Sequence, residues 1–346
     1  MKNIFWALMV FFLVAVLPAT AGNRDRVGQA GATELLINPW ARSSGWMGVN
    51  TAGVHGVEAM RFNPGGLAFV KKTDFVLSRT QWLRGSDIDI SAAGIAAKVG
   101  DSGVLGLNIV AFSMGEIPIT TEDQPDFGTG GTFEPQFLQI GIGYAKSFSE
   151  SIHGGIVVRL ISESIADVSA SGFAFDTGIQ YVTGPKDNAR FGISLRNIGP
   201  TMKFAGDGLD VAFETIVGSG ITGQQRSEEF EIPSLLNIGG AYDFYLGERN
   251  RLTIAGNFTS NSFRSDFFGA GLEFAFREMF MIRGGVNYEE GLFDDINQAS
   301  ALSGFSGGFS LEVPLKAGGP NFGVDYSYRT TENFEGTHSL GVRIVL

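Results

Sequence analysis

From residue 73 to the C-terminus, apolar side chains alternate with polar or small ones in fourteen segments separated by turns. They fall near 73–84, 87–100, 103–114, 134–148, 151–166, 169–183, 188–198, 231–246, 250–260, 263–276, 279–290, 302–314, 319–331 and 335–346. A strand places successive side chains on opposite faces, so each segment offers one face to an apolar environment and the other to a polar one. Phe191, Ile193 and Leu195 share a face opposite Gly192, Ser194 and Arg196; Leu272, Phe274 and Phe276 oppose Gly271, Glu273 and Ala275. Each segment is long enough for the ~9–11 residues that cross a bilayer at a tilt. Beyond the N-terminus no apolar run reaches the length of a membrane helix. Long alternating strands, even in number, predict an all-β fold: a 14-stranded antiparallel transmembrane barrel over 73–346.

Loop lengths agree with this reading. With both termini in the periplasm, the odd-numbered connections face outward, and they include the three longest, 115–132, 199–230 and 290–301. The inward connections are short turns such as 100–102, 149–150 and 277–278. Long outer loops over short inner turns are the usual asymmetry of such barrels. Composition fits as well: 49 Gly and 30 Phe, with 18% charged residues, are what aromatic girdles and a close-packed lumen require. The net charge of −11 excludes a basic nucleic-acid surface, and the absence of Cys removes disulfides, thiol nucleophiles and thiolate metal sites.

Two segments precede the strands. In 1–21, Lys2, an apolar core and Ala19-Thr20-Ala21 form the pattern of a cleaved secretory signal, the alternative being a membrane anchor for which the apolar core is short. Residues 22–72 are expected to be a plug inside the barrel. Trp40 and Trp46 serve there as packed anchors, and a short helix-like piece over 54–62 stops at Asn63-Pro64-Gly65-Gly66 before Leu67 and Ala68. Pro64 disfavours helix at Asn63, and the two glycines supply whatever φ the turn needs. Glu58 and Arg61, three apart, are placed to pair with each other or with the wall.

The strand register turns Arg159, Arg196, Arg283, Arg329 and Arg343 into the lumen with Asp176, Asp243, Glu273, Glu312 and Asp325. An Arg or Lys on the lipid face would cost ~2–4 kcal/mol near the midplane, so the inward assignment is favoured. Five charges of each sign imply a cross-linked interior; the alternative is a polar permeation path.

Catalytic chemistry is not indicated. His55, His153 and His338 have no partner His four residues on, and nothing beside His338 marks a serine nucleophile. Gly218-Ser219-Gly220-Ile221-Thr222-Gly223 matches a dinucleotide pattern, but Gln224 to Glu229 carry no helix signal, so the stretch reads as a flexible outer loop. Acidic groups gather in the outer loops at Glu122, Asp123 and Asp126, at Glu228, Glu229 and Glu231, and at Glu289, Glu290, Asp294 and Asp295. Their spacing fits no calcium loop, and a solvated surface is expected. No enzyme, metal or cofactor is predicted.

The run Ala41-Arg42-Ser43-Ser44-Gly45-Trp46-Met47-Gly48, followed by Asn63-Pro64-Gly65-Gly66-Leu67-Ala68, resembles the N-terminal signature of the PorV/PorQ family within the FadL-like outer-membrane barrels. Arg196-Asn197-Ile198-Gly199-Pro200 is similar to a second signature of that family. Trp46-Met47-Gly48 departs from its more regular Gly-Met-Gly-like run. The resemblance implies an integral outer-membrane barrel with a luminal hatch, in Bacteroidota-type bacteria. It implies a non-enzymatic accessory subunit of type IX protein secretion, in contact with outer-membrane lipids and with a translocon or the signal domain of an exported protein. The alternative reading is a FadL-like channel for hydrophobic small molecules, its ligand held near the hatch.

Overall fold

A computed structural model describes residues 22–125, 130–214, 220–290, 292, 300–316 and 319–346. The signal-like segment 1–21 and the acidic Asp126, Asp294 and Asp295 lie outside the described residues. Fourteen strands close into one antiparallel barrel, each paired with its sequence neighbour. They are β1 (Thr73–Trp82), β2 (Ile88–Val99), β3 (Gly103–Ser113), β4 (Gln136–Ser147), β5 (Ile152–Ile165), β6 (Val168–Thr183) and β7 (Ala189–Ile198). The second half holds β8 (Leu235–Leu246), β9 (Asn250–Asn261), β10 (Phe267–Phe276), β11 (Phe280–Glu289), β12 (Leu302–Pro314), β13 (Asn321–Thr331) and β14 (Thr337–Val345). Closure is made by β1 on β14, from Asp74 opposite Val345 to Gln81 opposite His338. Closing the ring leaves no strand edge unpaired, the condition for spanning a bilayer with strands.

The faces sort as the period-two pattern requires. Ile142, Ile156, Leu160, Ile179, Phe191, Ile193, Leu272 and Ile282 are exposed on the outside, while Gln139, Arg159, Asp176, Ser194, Glu273 and Arg283 are buried inside. Two strands start later than their apolar pattern. In β8 the chain reaches the ladder after Pro233, which has no N–H to give. In β10, the Phe263 amide donates to Asn261 Oδ1 at 2.9 Å, a local turn that carries Phe263 inward and delays the strand to Phe267.

Described parts of the outer loops form short two-stranded pairings. Ile117–Pro118 pairs with Thr132–Phe133, Met202–Lys203 with Glu229–Phe230, and Asp210–Glu214 with Gly220–Gln224. Of the dinucleotide-like run, Gly218 and Ser219 lie outside the described residues, Gly220 to Gly223 lie in a hairpin strand, and among the described residues no helix directly follows it.

The N-terminal segment packs inside the barrel and is hydrogen-bonded to strands around the wall. Val57 N donates to Asp74 Oδ2 on β1 at 2.9 Å, Arg159 on β5 donates to Met60 O at 3.1 Å, and Gln180 on β6 donates to Val54 O at 2.9 Å. Ser194 on β7 donates to Phe62 O at 2.6 Å, Asn287 on β11 to Met47 O at 3.0 Å, and Ser306 on β12 to Gly45 O at 3.1 Å. The expectation for chain direction needs one correction. Although β1 starts and β14 ends at the short-turn end, the described chain begins at the long-loop end. There Arg26 pairs with Glu231 at 2.5 Å, and Ala30 bridges Glu231. The segment thus runs the length of the lumen before entering β1, and the loop parity depends only on where β1 starts.

Candidate functional site

The Asn63 motif closes the lumen by close contact rather than by unusual backbone angles. The short helix Ala59–Phe62 ends at Asn63, which is extended (φ −154°, ψ 100°). Its side chain is wholly buried: Nδ2 donates to Thr51 O at 2.9 Å and to Ile179 O of β6 at 3.0 Å, and Oδ1 accepts from Gly65 N at 3.1 Å. Pro64 then opens the 3-10 turn Pro64–Phe69, which carries buried Leu67 and half-buried Ala68 onto the wall. Neither Gly65 nor Gly66 has a positive φ. A Cβ on Gly66 would lie 2.0 Å from Val54 O, and one on the facing Gly178 would lie 2.1 Å from Asn63 Oδ1. Space, not conformation, demands glycine here.

Glu58 and Arg61 do not pair with each other. Glu58 Oε2 accepts from Ser43 N at 3.1 Å. Arg61 collects backbone carbonyls of the incoming segment, Ile37 O at 2.6 Å with Leu35 O and Glu34 O, and donates to Gln139 on β4 at 3.3 Å. One guanidinium thus gathers the segment's carbonyls at the centre of the lumen. Burial, with Glu163 of β5 nearby, pushes the Glu34 carboxyl up to about 7.

All ten sequence-predicted lumen charges face inward, but they divide into different settings. Arg159 and Asp176 form a fully buried pair at 2.7 Å. Across eight consecutive strands runs a belt of polar contacts. Arg190 (β7) reaches Asp243 (β8) at 2.5 Å, Arg251 (β9) reaches Asp243 at 3.7 Å and Glu273 (β10) at 3.1 Å, and Arg283 (β11) reaches Glu273 at 2.8 Å. Arg283 also donates to Ser310 (β12) at 2.8 Å, Ser310 bonds Asp325 (β13), and Arg343 (β14) reaches Asp325 at 3.2 Å and Glu312 (β12) at 3.8 Å. Arg190 and Arg251, absent from the sequence-based set, are essential links. Their signal was available, since Arg190 is in phase with Gly192, Ser194 and Arg196 on the lumen face.

Arg196 and Arg329 stand apart from the belt. Arg196, expected to satisfy a lumen carboxylate, has none within 4.0 Å among the described residues; its guanidinium lies 5.7 Å from the Phe62 ring centre. Asp176 is instead engaged by Arg159 and by the Asn197 amide at 2.6 Å. The rest of the Arg196-Asn197-Ile198-Gly199-Pro200 run builds an outward corner. Asn197 is left-handed (φ 57°) at a bulge against β6 and donates to Pro233 O at 3.0 Å. Ile198 faces out, and Gly199 packs too close to Phe173 O for any Cβ, at 2.3 Å, before Pro200 begins the long loop.

The plug divides the lumen into two cavities of opposite character. The outer one, of about 520 Å³, is lined by apolar Leu36, Ile37, Met47, Phe62, Trp82, Leu235, Phe263 and Phe267, with Arg196 and Arg329 in its wall. The inner one, of about 730 Å³, opens among the short turns and is lined by Arg42, Arg190, Arg251, Arg343, Asp74, Asp243, Glu273 and Glu312. His338 shares a hydrogen bond with the Tyr326 hydroxyl at 2.8 Å, not with a serine. Among the described residues, no three His, Asp or Glu side chains converge on a metal position.

No family model matches the chain. No curated protein matches it. Solved structures do. The Pseudomonas putida toluene transporter TodX superposes with a TM-score of 0.56 at 14% identity, over 88% of this chain and 96% of that one. The monoaromatic hydrocarbon channel CymD gives 0.54 at 14%, over 89% and 97%. The Ralstonia pickettii toluene transporter TbuX gives 0.52 at 13%, over 88% and 96%. The fold is the 14-stranded barrel of these proteins. At this identity the likeness carries the fold alone. It does not reach the narrower PorV/PorQ membership, the type IX role or the Bacteroidota source implied by the sequence signatures.

Proposed function

We propose that this barrel passes small hydrophobic molecules across the outer membrane, with the outer cavity as the site of first capture. The observation that carries this reading is the apolar cavity of about 520 Å³ at the long-loop end, floored by the plug through Met47 and Phe62. A concave apolar site with a few polar groups is the usual form of a small-molecule site. The neighbours of like fold are described as transporters and channels for aromatic hydrocarbons. Release to the inner, charged cavity requires the plug to shift, because Gly45 and Met47 are bonded to Ser306 and Asn287 between the two spaces. Uptake of radiolabelled decanol by intact cells tests the reading. Deleting the gene lowers the initial rate several-fold, and Leu36→Glu, which puts a charge in the apolar lining, fails to restore it. Unchanged uptake after deletion refutes the reading.

A second reading, an accessory subunit in protein secretion or surface assembly, is favoured by the hairpin Asp210–Glu214 with Gly220–Gln224. It projects Phe213 and Ile221 paired side by side, 53% and 57% exposed, among the outer loops. Here the partner is a translocon or the signal domain of an exported protein. Shortening 206–225 leaves the barrel inserted and, on this reading, abolishes surface display of exported proteins; full display leaves the channel reading alone.

A further inference from the structure

At the long-loop end, Gly22 sits half-buried against the connection between β9 and β10, residues 262–266. A Cβ on Gly22 would lie 2.6 Å from Arg264 O, 2.9 Å from Asp266 Oδ1 and 2.7 Å from Asp266 N. A carbon cannot occupy that point. A nitrogen carrying protons can, because two of the three neighbours are oxygens at hydrogen-bond distance. Asp266 N is the one misfit and requires a small shift. In glycine, about one-third of a turn around the Cα–C bond brings the residue's own nitrogen to this point, since the bonds that Cα makes to N and to C differ by less than ~0.1 Å. The residues that follow hold the entry in place. Arg26 N donates to Asn23 O at 3.2 Å, the Arg26 guanidinium lies 4.1 Å from the Phe263 ring centre and pairs with Glu231 at 2.5 Å, and Gly31 N donates to Glu231 O at 3.1 Å. The Arg264 guanidinium is turned to Glu289 at 2.8 Å, so its own charge is offset.

Position 22 is also where export processing is expected to leave its product. Ala19-Thr20-Ala21 is a small-residue cleavage pattern, and a signal peptidase that hydrolyses the Ala21–Gly22 bond adds one water, leaving a carboxylate on Ala21 and an ammonium on Gly22. We propose that this new ammonium docks on Arg264 O and the Asp266 carboxylate, so that processing creates the group that fastens the N-terminal segment across the outer mouth of the barrel. Before cleavage the Gly22 nitrogen is an amide with one proton and no charge, and it cannot turn into the corner without carrying residue 21 into the same backbone. After cleavage it turns freely, is charged at neutral pH, and brings three protons to two oxygens. Gly22 is thereby required as the first mature residue by space as well as by the peptidase. Assembly then has an order: export, cleavage, and only afterwards closure of 22–31 over Phe263 and Glu231. This inference is independent of what the lumen carries.

The test treats the mature barrel in lipid nanodiscs with sulfo-N-hydroxysuccinimidyl acetate at pH 7. Acetylation of the first residue is followed by mass spectrometry of the N-terminal peptide, with exposed Lys203 as internal standard. Two variants release the ammonium by different routes. Asp266→Asn removes the counter-charge. A chain with one serine inserted between Ala21 and Gly22 keeps every barrel residue and displaces the ammonium by one position. In both, N-terminal acetylation relative to Lys203 is expected to rise at least about ten-fold, the effect of losing one charge-assisted hydrogen bond. Hydrogen exchange across 23–31 should rise with it. Equal acetylation in the wild type and the inserted chain overturns the proposal, and so does a wild-type N-terminus at any residue other than 22. A rise in the inserted chain without one in Asp266→Asn overturns the carboxylate as partner. If Asp266→Asn fails to insert, the inserted chain alone decides.

Discussion

The side-chain amide of Asn63 donates to the main-chain carbonyl of Ile179 at 3.0 Å, so the residue that ends the plug helix is bonded to the barrel wall itself. Ile179 sends its side chain outward to lipid while its carbonyl faces the lumen, and Gly178 beside it leaves the room for Asn63. The plug is thereby held at a fixed depth. Asn63→Ala removes the bonds to Thr51 O, Ile179 O and Gly65 N together. With about 1–3 kcal/mol for each buried group left unsatisfied, the plug is expected to loosen while the strand ladder stays closed. Hydrogen exchange should rise across 51–66 with little change in β3 to β7, and detergent-resistant folding should survive. Unchanged protection in 51–66 contradicts this.

The lumen pairs predict opposite outcomes for two neighbouring arginines. Arg159→Leu removes the ion-pair partner of fully buried Asp176 and should cost about 3–5 kcal/mol, visible as a lowered unfolding temperature in detergent. Arg196→Leu removes a cation with no carboxylate partner and should be neutral or stabilising. Equal destabilisation by both variants would show that Arg196 is paired after all.

Loop accessibility tests the orientation. Protease added to intact cells should cut within 115–132 and 199–230 and spare the turns at 148–151 and 277–279, because long loops mark the outer face. Cleavage at either short turn in sealed cells would invert the barrel.

The pH dependence of the incoming segment follows from Glu34. Its folded pKa of about 7 stands above the ordinary 4.5, raised by burial and then by Glu163. The segment's docking is therefore favoured by a proton on Glu34: fully stabilised below about 4.5, and weakened as pH rises through 7. Exchange protection of 33–38 should be greater at pH 5 than at pH 8, and Glu34→Gln should flatten the difference. A Glu34→Gln protein with the wild-type pH profile refutes the assignment.

Much of this architecture is local and therefore legible in the chain. Which face of a strand each residue occupies follows from period two, so Arg159, Asp176, Glu273 and Arg343 could be placed in the lumen without coordinates. The strand count and the loop asymmetry follow in the same way. Residue type also marks the Asn63-Pro64 stop, because proline restricts the residue before it wherever it stands.

What each inward residue meets was decided only by closure. Which charges become partners depends on register between strands and on the depth of the plug, neither of which is written in any one segment. Arg159 and Arg196 carry the same local signal, yet one finds Asp176 and the other finds an apolar cavity. Glu58 and Arg61 stand at helical pairing distance in sequence, yet the lumen offers Glu58 the Ser43 amide and Arg61 a row of carbonyls. Gly66 reads as a turn glycine, but its need comes from Val54 O, twelve residues away, pressed against it when the segment folds back on itself. Periodicity is a property of the strand and survives in the sequence; partner choice in a packed lumen is set by distances between segments, and only the tertiary structure fixes those.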